Sequence, residues 1–263
     1  MSIPKIIHYC WFGGGELPER DRECIESWKK YCPDYEIREW NETNYDVTGN
    51  PYMHQAYEAK KWGFVPDYAR FDIIYQYGGI YLDTDVEVIK PLDPLLEQSA
   101  FMGFENEQAV NPGSIIGAVP KHELIHELMK VYADRSFRKQ DGTLDLTPSP
   151  KIVTDYLSSL GLEYTNQFQT IRGMNLYPND YFCPKSYTTN RMNITTNTFT
   201  IHHFNASWRT PKEKKWLQME INLRNKLGEE KMERLTGSFV WRALAALYIK
   251  GIGHCIRKVF KAS

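Results

Sequence analysis

Cysteine is sparse in this chain and forms no framework: Cys10, Cys24, Cys32, Cys183 and Cys255 are odd in number, scattered and never spaced C-x-x-C. That pattern indicates neither a disulfide scaffold nor a zinc site, and it fits a reducing compartment. An excess of one charge is also missing. With a formal net charge of -1, the chain offers no electrostatic argument for binding nucleic acid. There is no internal repeat and no low-complexity tract. The N-terminus opens directly on an apolar strand, without a basic region or a cleavage site, so a cytoplasmic location is expected. What is present is 263 residues, 42% hydrophobic and 25% charged, enough for one sizeable core with appended helices.

An α/β rhythm organises the first half. A strand over 3–11 leads to the turn Gly13-Gly14-Gly15, then a helix near 18–31, a strand near 35–40 and a helix near 51–62. Residues 86–89 read as a further strand. From His122 to Arg135, Leu124, Ile125, Leu128, Met129 and Tyr132 share one face of a helix. Such alternation predicts an α/β fold with a mainly parallel sheet. Residues 138–150 and 165–198 are rich in loops and are expected to build the side that receives an acceptor.

The most informative stretch runs from Asp67 to Asp85. Pro66 suits a first helical position, Asp67 suits the positive end of the helix dipole, and Gly78-Gly79 stops the helix. Asp67 and Arg70 therefore share a face of its first turn. Ile80, Tyr81 and Leu82 read as a short buried strand that delivers Asp83 and Asp85 to its C-terminal end, where open α/β sheets bind ligands. Two carboxylates there suit Mg2+ or Mn2+, held by few protein ligands while phosphate oxygens complete the shell. An isolated Asp-X-Asp arises readily by chance, and a solvated acidic turn is its plain alternative; the preceding Gly-Gly-Ile-Tyr-Leu supplies the specificity. A phosphatase-type nucleophile fits poorly, because that chemistry wants a small residue where Glu87 stands.

This run resembles the core of the DXD-type sugar transferases of glycosyltransferase family 32, which include capsular polysaccharide transferases, a yeast α-1,6-mannosyltransferase and, distantly, the clostridial glucosylating toxins. The likeness extends upstream to Ile3-Pro4-Lys5-Ile6-Ile7-His8-Tyr9-Cys10-Trp11-Phe12-Gly13-Gly14, Ser27-Trp28 and Pro33-Asp34-Tyr35-Glu36. Downstream it includes Ile201-His202-His203-Phe204-Asn205-Ala206-Ser207-Trp208. It implies a GT-A-type fold, Rossmann-like with a mostly parallel central sheet and flanking helices, followed by C-terminal helices. It further implies transfer of a sugar with retention from a nucleotide diphosphate sugar, a UDP-sugar being favoured, to a glycan or lipid-linked oligosaccharide in polysaccharide synthesis.

Residue roles follow from the same resemblance. Trp11, with Phe12 beside it, is expected to pack on the base; the plain alternative is a core tryptophan. Asp67 is assigned to donor-sugar hydroxyls and Arg70 to the sugar and phosphate region, against a simple i,i+3 ion pair. Tyr81 is expected to reach the nucleotide. Asp83 and Asp85 are the expected metal ligands, completed by one of the adjacent histidines; position relative to Ser207-Trp208 selects His203. Ser207 and the Trp208 indole are expected to contact the diphosphate. Asp83, Asp85 and Arg70 form the expected catalytic group.

A catalytic domain is expected over 1–236 and a basic amphipathic segment over 237–263. The latter holds Arg242, Lys250, Arg257, Lys258 and Lys261 but no acid. Trp241, Leu244, Ala245, Tyr248, Ile252 and Val259 fall on its other side, the pattern of a helix lying on a membrane or docked on its own domain. Two other functions share these features: a metal-dependent nucleotide-sugar hydrolase, and a non-catalytic carbohydrate-binding protein of the same fold.

Overall fold

The computed structural model describes residues 2–206 and 209–250. Two compact units make up the chain, one within Met1–Lys185 and Met192–Asn205, the other within Ser186–Arg191 and Ala206–Ser263. The expected boundary at 236 lies inside the second unit.

In the first unit, β1 (Ile6–Cys10), α1 (Glu19–Tyr31), β2 (Glu36–Trp40), α2 (Pro51–Glu58), α3 (Pro66–Tyr77), β3 (Gly79–Tyr81) and β4 (Val86–Val88) follow in order. Then come β5 (Ala100–Asn106), β6 (Ala109–Val110), β7 (Ile116–Ala118), α4 (Glu123–Ala133), α5 (Ser149–Ser159), β8 (Gln169–Ile171), β9 (Met174–Tyr177), α6 (Asn179–Phe182) and β10 (Thr200–His202). The main sheet runs β2-β1-β3-β7-β5-β9-β8, with β6 on β5. It is mixed: β1 is parallel to β2 and β3, and β5 to β9, whereas β7 is antiparallel to both its neighbours. The expected α/β class, a sheet flanked by helices, is present.

Several elements are shorter than their sequence patterns. Pro4 keeps β1 from starting at residue 3, because it has no N–H to give the ladder. The segment from Thr195 is a turn, closed by the Thr198 N–H on the Thr195 carbonyl, so only Thr200–His202 pair as β10 against β4.

Three features place the site. Acidic Glu19 and Asp21 open α1 and Lys29 and Lys30 close it, matching its dipole. The buried Trp28 on its inner face donates its indole N–H to the Val86 carbonyl at 2.7 Å, tying α1 to β4. Gly78, at φ 65° and ψ -160°, takes the chain from α3 straight into β3. A Cβ there would stand 2.6 Å from the Pro120 ring, so only glycine makes this reversal.

The second unit is helical: α7 (Pro211–Leu227), α8 (Glu229–Gly237) and α9 (Phe239–Lys250). Thr210 and Glu213 form a capping box at the head of α7. The Trp216 ring meets Trp241 at 5.2 Å and Tyr248 at 5.5 Å, and both indoles donate to Glu220. Of the apolar side expected to lie on a membrane or dock on its own domain, Trp241 and Tyr248 pack on α7. Phe239, Val240, Leu244 and Leu247 are left exposed, with Phe239 at 80%. Residues 251–263, with Ile252, Arg257, Lys258, Val259 and Lys261, lie outside the described residues.

Candidate active site

The chain leaves β3 by a tight path that presents two carboxylates. Leu82 extends the pairing by donating to the His8 carbonyl at 3.0 Å, and Asp83 donates its N–H to the Gly113 carbonyl at 3.0 Å. Asp83 Oδ1 accepts from Arg70 Nη2 at 3.2 Å and from the Tyr81 hydroxyl at 3.0 Å. The same Arg70 nitrogen stands 3.4 Å from Asp67, so one guanidinium links the helix acid to the first aspartate of the pair. The Arg70 side chain is 4% exposed and that of Asp83 is 29% exposed. Arg70 therefore sits behind the carboxylate, and Asp83 faces outward. Burial pushes the Asp67 carboxyl up, Arg70 opposes the rise and Asp83 adds to it.

Asp85 is held from the opposite side. Its Oδ2 accepts the Asn205 N–H at 2.7 Å and its Oδ1 lies 3.2 Å from His202 Nε2. Burial would raise its pKa, but the His202 charge and these hydrogen bonds outweigh burial and hold it below the ordinary value. Burial likewise disfavours a charged His202, yet Asp85 overrides it and lifts that imidazole well above its usual pKa.

Asp83, Asp85 and His202 have donor atoms within 4.8 Å of one another. Two carboxylate oxygens and an imidazole nitrogen suit Mn2+ or Mg2+, with Mn2+ the better match to nitrogen. The expected partner His203 is not one of these three. In the register of β10 on β4, His202 lies opposite Val86 and its ring turns toward Asp85. Strand alternation sends His203 to the other side, where Nε2 lies 2.8 Å from Glu87 and Arg20 approaches it at 2.9 Å.

Other expected residues divide. Trp11 is half-buried and donates its indole N–H to the Gly15 carbonyl at 2.6 Å, folding the Gly-rich turn back on itself. Phe12 belongs to the core, edge-on to Tyr45, rather than to a base-binding surface. Tyr81 is enclosed, with its hydroxyl donating to Asp83 Oδ1 at 3.0 Å. Ser207 and Trp208 lie outside the described residues. Sequence reasoning weighed His202 and selected its neighbour; it missed the turn Asn111-Pro112-Gly113-Ser114, Glu105, and Asp21, which accepts from Thr84 at 2.7 Å and from Asn205 at 2.9 Å. The Asn-Pro-Gly-Ser string was a visible turn signal; nothing marked Asp21.

The family profile described as a glycosyltransferase sugar-binding region containing a DXD motif matches residues 18–102, from α1 through Asp83 and Asp85 into β5. Over that stretch the chain is similar to this family. It is 30% identical over 153 residues to inositol phosphoceramide mannosyltransferase 1 of Schizosaccharomyces pombe, covering 52% of this chain and 46% of that protein. To an uncharacterised glycosyltransferase of Acanthamoeba polyphaga mimivirus it is 27% identical over 209 residues, covering 71% and 79% respectively. Among solved structures it is similar to the PaToxG glycosyltransferase, at 18% identity and TM-score 0.48 over 60% of this chain and 69% of that one. The chain spans less than half the length of the first two curated relatives.

Proposed function

We propose that this protein transfers a sugar from a nucleoside diphosphate to an acceptor hydroxyl, with Asp83, Asp85 and His202 holding a divalent cation. The gathering of those three donors at the C-terminal end of β3 carries the reading. A bound Mn2+ or Mg2+ there supplies charge neutralisation for the departing diphosphate. The chain's own contribution is positioning. Arg70, locked between Asp67 and Asp83, fixes the direction of the Asp83 carboxylate; the Asn205 N–H and His202 fix that of Asp85. Both ligands thus enter the reaction with little reorganisation. A same-face, dissociative displacement, consistent with retention, is the proposed course, and a covalent glycosyl-enzyme trapped on a side chain would contradict it.

Relatives named for mannosyl transfer to inositol phosphoceramide support a mannosyl group and a lipid-borne acceptor; the resemblance of the Trp11 region to uracil-binding transferases supports UDP. Turnover of UDP- and GDP-linked sugars with Mn2+, with and without glycan and lipid-linked acceptors, tests both. Release of free sugar whatever the acceptor would favour a hydrolase instead.

A peripheral membrane location belongs to the same proposal. No described helix is long and apolar enough to cross a membrane. The set of exposed apolar residues on α9, in a segment with several Lys and Arg and no acid, suits the surface of an anionic bilayer. Flotation with vesicles containing phosphatidylserine should carry the protein upward and fail after Phe239→Ser/Leu247→Ser; equal flotation of both would remove the idea.

A further inference from the structure

The turn from Asn111 to Ser114 touches both halves of the candidate cation site, although it supplies no ligand. Asn111 is buried and its side chain is fully engaged. Its Oδ1 accepts the N–H groups of Gly113 at 2.8 Å and Ser114 at 3.3 Å, which fixes the amide's direction. Its Nδ2 then donates to Glu105 Oε2 at 2.7 Å and lies 3.5 Å from His202 Nδ1. The Ser114 hydroxyl closes the turn on the Asn111 carbonyl at 2.8 Å, and the Asn111 N–H anchors it to the Gly103 carbonyl on β5 at 3.0 Å.

At the other end of the turn, Gly113 is pressed against the first aspartate. Its carbonyl accepts the Asp83 N–H at 3.0 Å. A Cβ added to Gly113 would stand 2.2 Å from Asp83 Oδ2. The lack of a side chain therefore leaves room for the carboxylate, while the carbonyl sets the backbone that carries it. Pro112, between the two contacts, limits the turn's freedom to adjust.

We propose that the Asn111–Ser114 turn, braced by Glu105, is the positioning device that sets Asp83 and His202 at the separation a divalent cation needs. This rests on the reading of Asp83, Asp85 and His202 as cation ligands. Asn111 and Gly113 are positioning residues: one backs the imidazole, the other leaves room for the carboxylate. Partners behind a metal ligand commonly change metal affinity about 10–100-fold when removed.

The test is Mn2+ binding to the full chain, read from the loss of the free-ion electron paramagnetic resonance signal, with melting temperature followed in parallel. Gly113→Ala is expected to raise the Mn2+ Kd about tenfold or more, with the far-ultraviolet circular dichroism unchanged. At saturating Mn2+ its turnover should recover substantially, a concentration-dependent rescue that a merely structural defect would not show. Glu105→Ala, which leaves the turn's own hydrogen bonds intact, is the second variant, read in the same way if Gly113→Ala does not fold; a Kd raised about tenfold is expected again. Wild-type Mn2+ affinity in a folded Gly113→Ala, or in Glu105→Ala where Gly113→Ala does not fold, overturns the proposal. Asp85→Asn separates the two readings. If Asp85→Asn loses Mn2+ while the turn variants bind normally, the turn is wrong and the site stands; if Asp85→Asn binds Mn2+ normally, the site itself is wrong.

Discussion

At the scale of single residues, the two adjacent histidines give the sharpest contrast. His202 faces Asp85 and His203 faces Glu87. His202→Ala is expected to weaken Mn2+ binding about 10–100-fold, while His203→Ala stays close to wild type by calorimetry; the reverse order would return the ligand role to His203. Protonation adds a second expectation. His202 has a raised pKa and must give up a proton to coordinate, so Mn2+ affinity should fall as pH falls and binding should release protons. Calorimetry in two buffers of different ionisation enthalpy reads that release directly. Asp67 supplies a third case. Burial lifts its pKa to about 7, above the unfolded value, so its protonated form favours the fold. That contribution is fully present below about pH 4 and is lost as pH rises through about 7. The melting temperature of Asp67→Asn relative to wild type should accordingly increase between pH 4 and pH 8, and a flat difference would contradict the assignment.

At the scale of elements, the passage from α3 to β3 is the most demanding local structure near the site. Gly78→Ala would meet both an unfavourable backbone region and the Pro120 ring, so a loss of about 3 kcal/mol or more is expected, read as a lower urea midpoint. This passage was legible in the sequence because every signal in it is local: a proline start, an acid in the first turn, and two glycines at the stop. Asp83 and Asp85 inherited that legibility. The choice between His202 and His203 did not, because Thr-Ile-His-His carries no alternation that fixes which side faces inward. Pairing with β4, far away in the chain, sets the register. The role of the Asn111–Ser114 turn, though not the turn itself, was hidden for the same reason: its chemistry lies in contacts with Asp83, Glu105 and His202.

At the scale of the whole molecule, the strand–helix rhythm gave the α/β class, while the antiparallel placement of β7 between β3 and β5 had no local signature. Those two pairings bring the end of β5, with Glu105, to the same sheet edge as the end of β3. The first unit thereby gathers, at one edge, an acid–arginine brace, one outward and one buried carboxylate, an imidazole and a supporting turn, the set expected for a metal-assisted sugar transfer. The second unit follows a different logic. Its tryptophan side joins α9 to α7, which explains why an amphipathic pattern alone could not say which face would remain outside. Metal-dependent sugar transfer at Asp83 and Asp85 is tested most directly by donor turnover in the presence of acceptor. Nucleoside diphosphate release with Mn2+ is expected, with its loss on chelation and a fall of at least about a hundredfold in Asp85→Asn. Undiminished turnover in Asp85→Asn, or after complete removal of divalent cations, would contradict it.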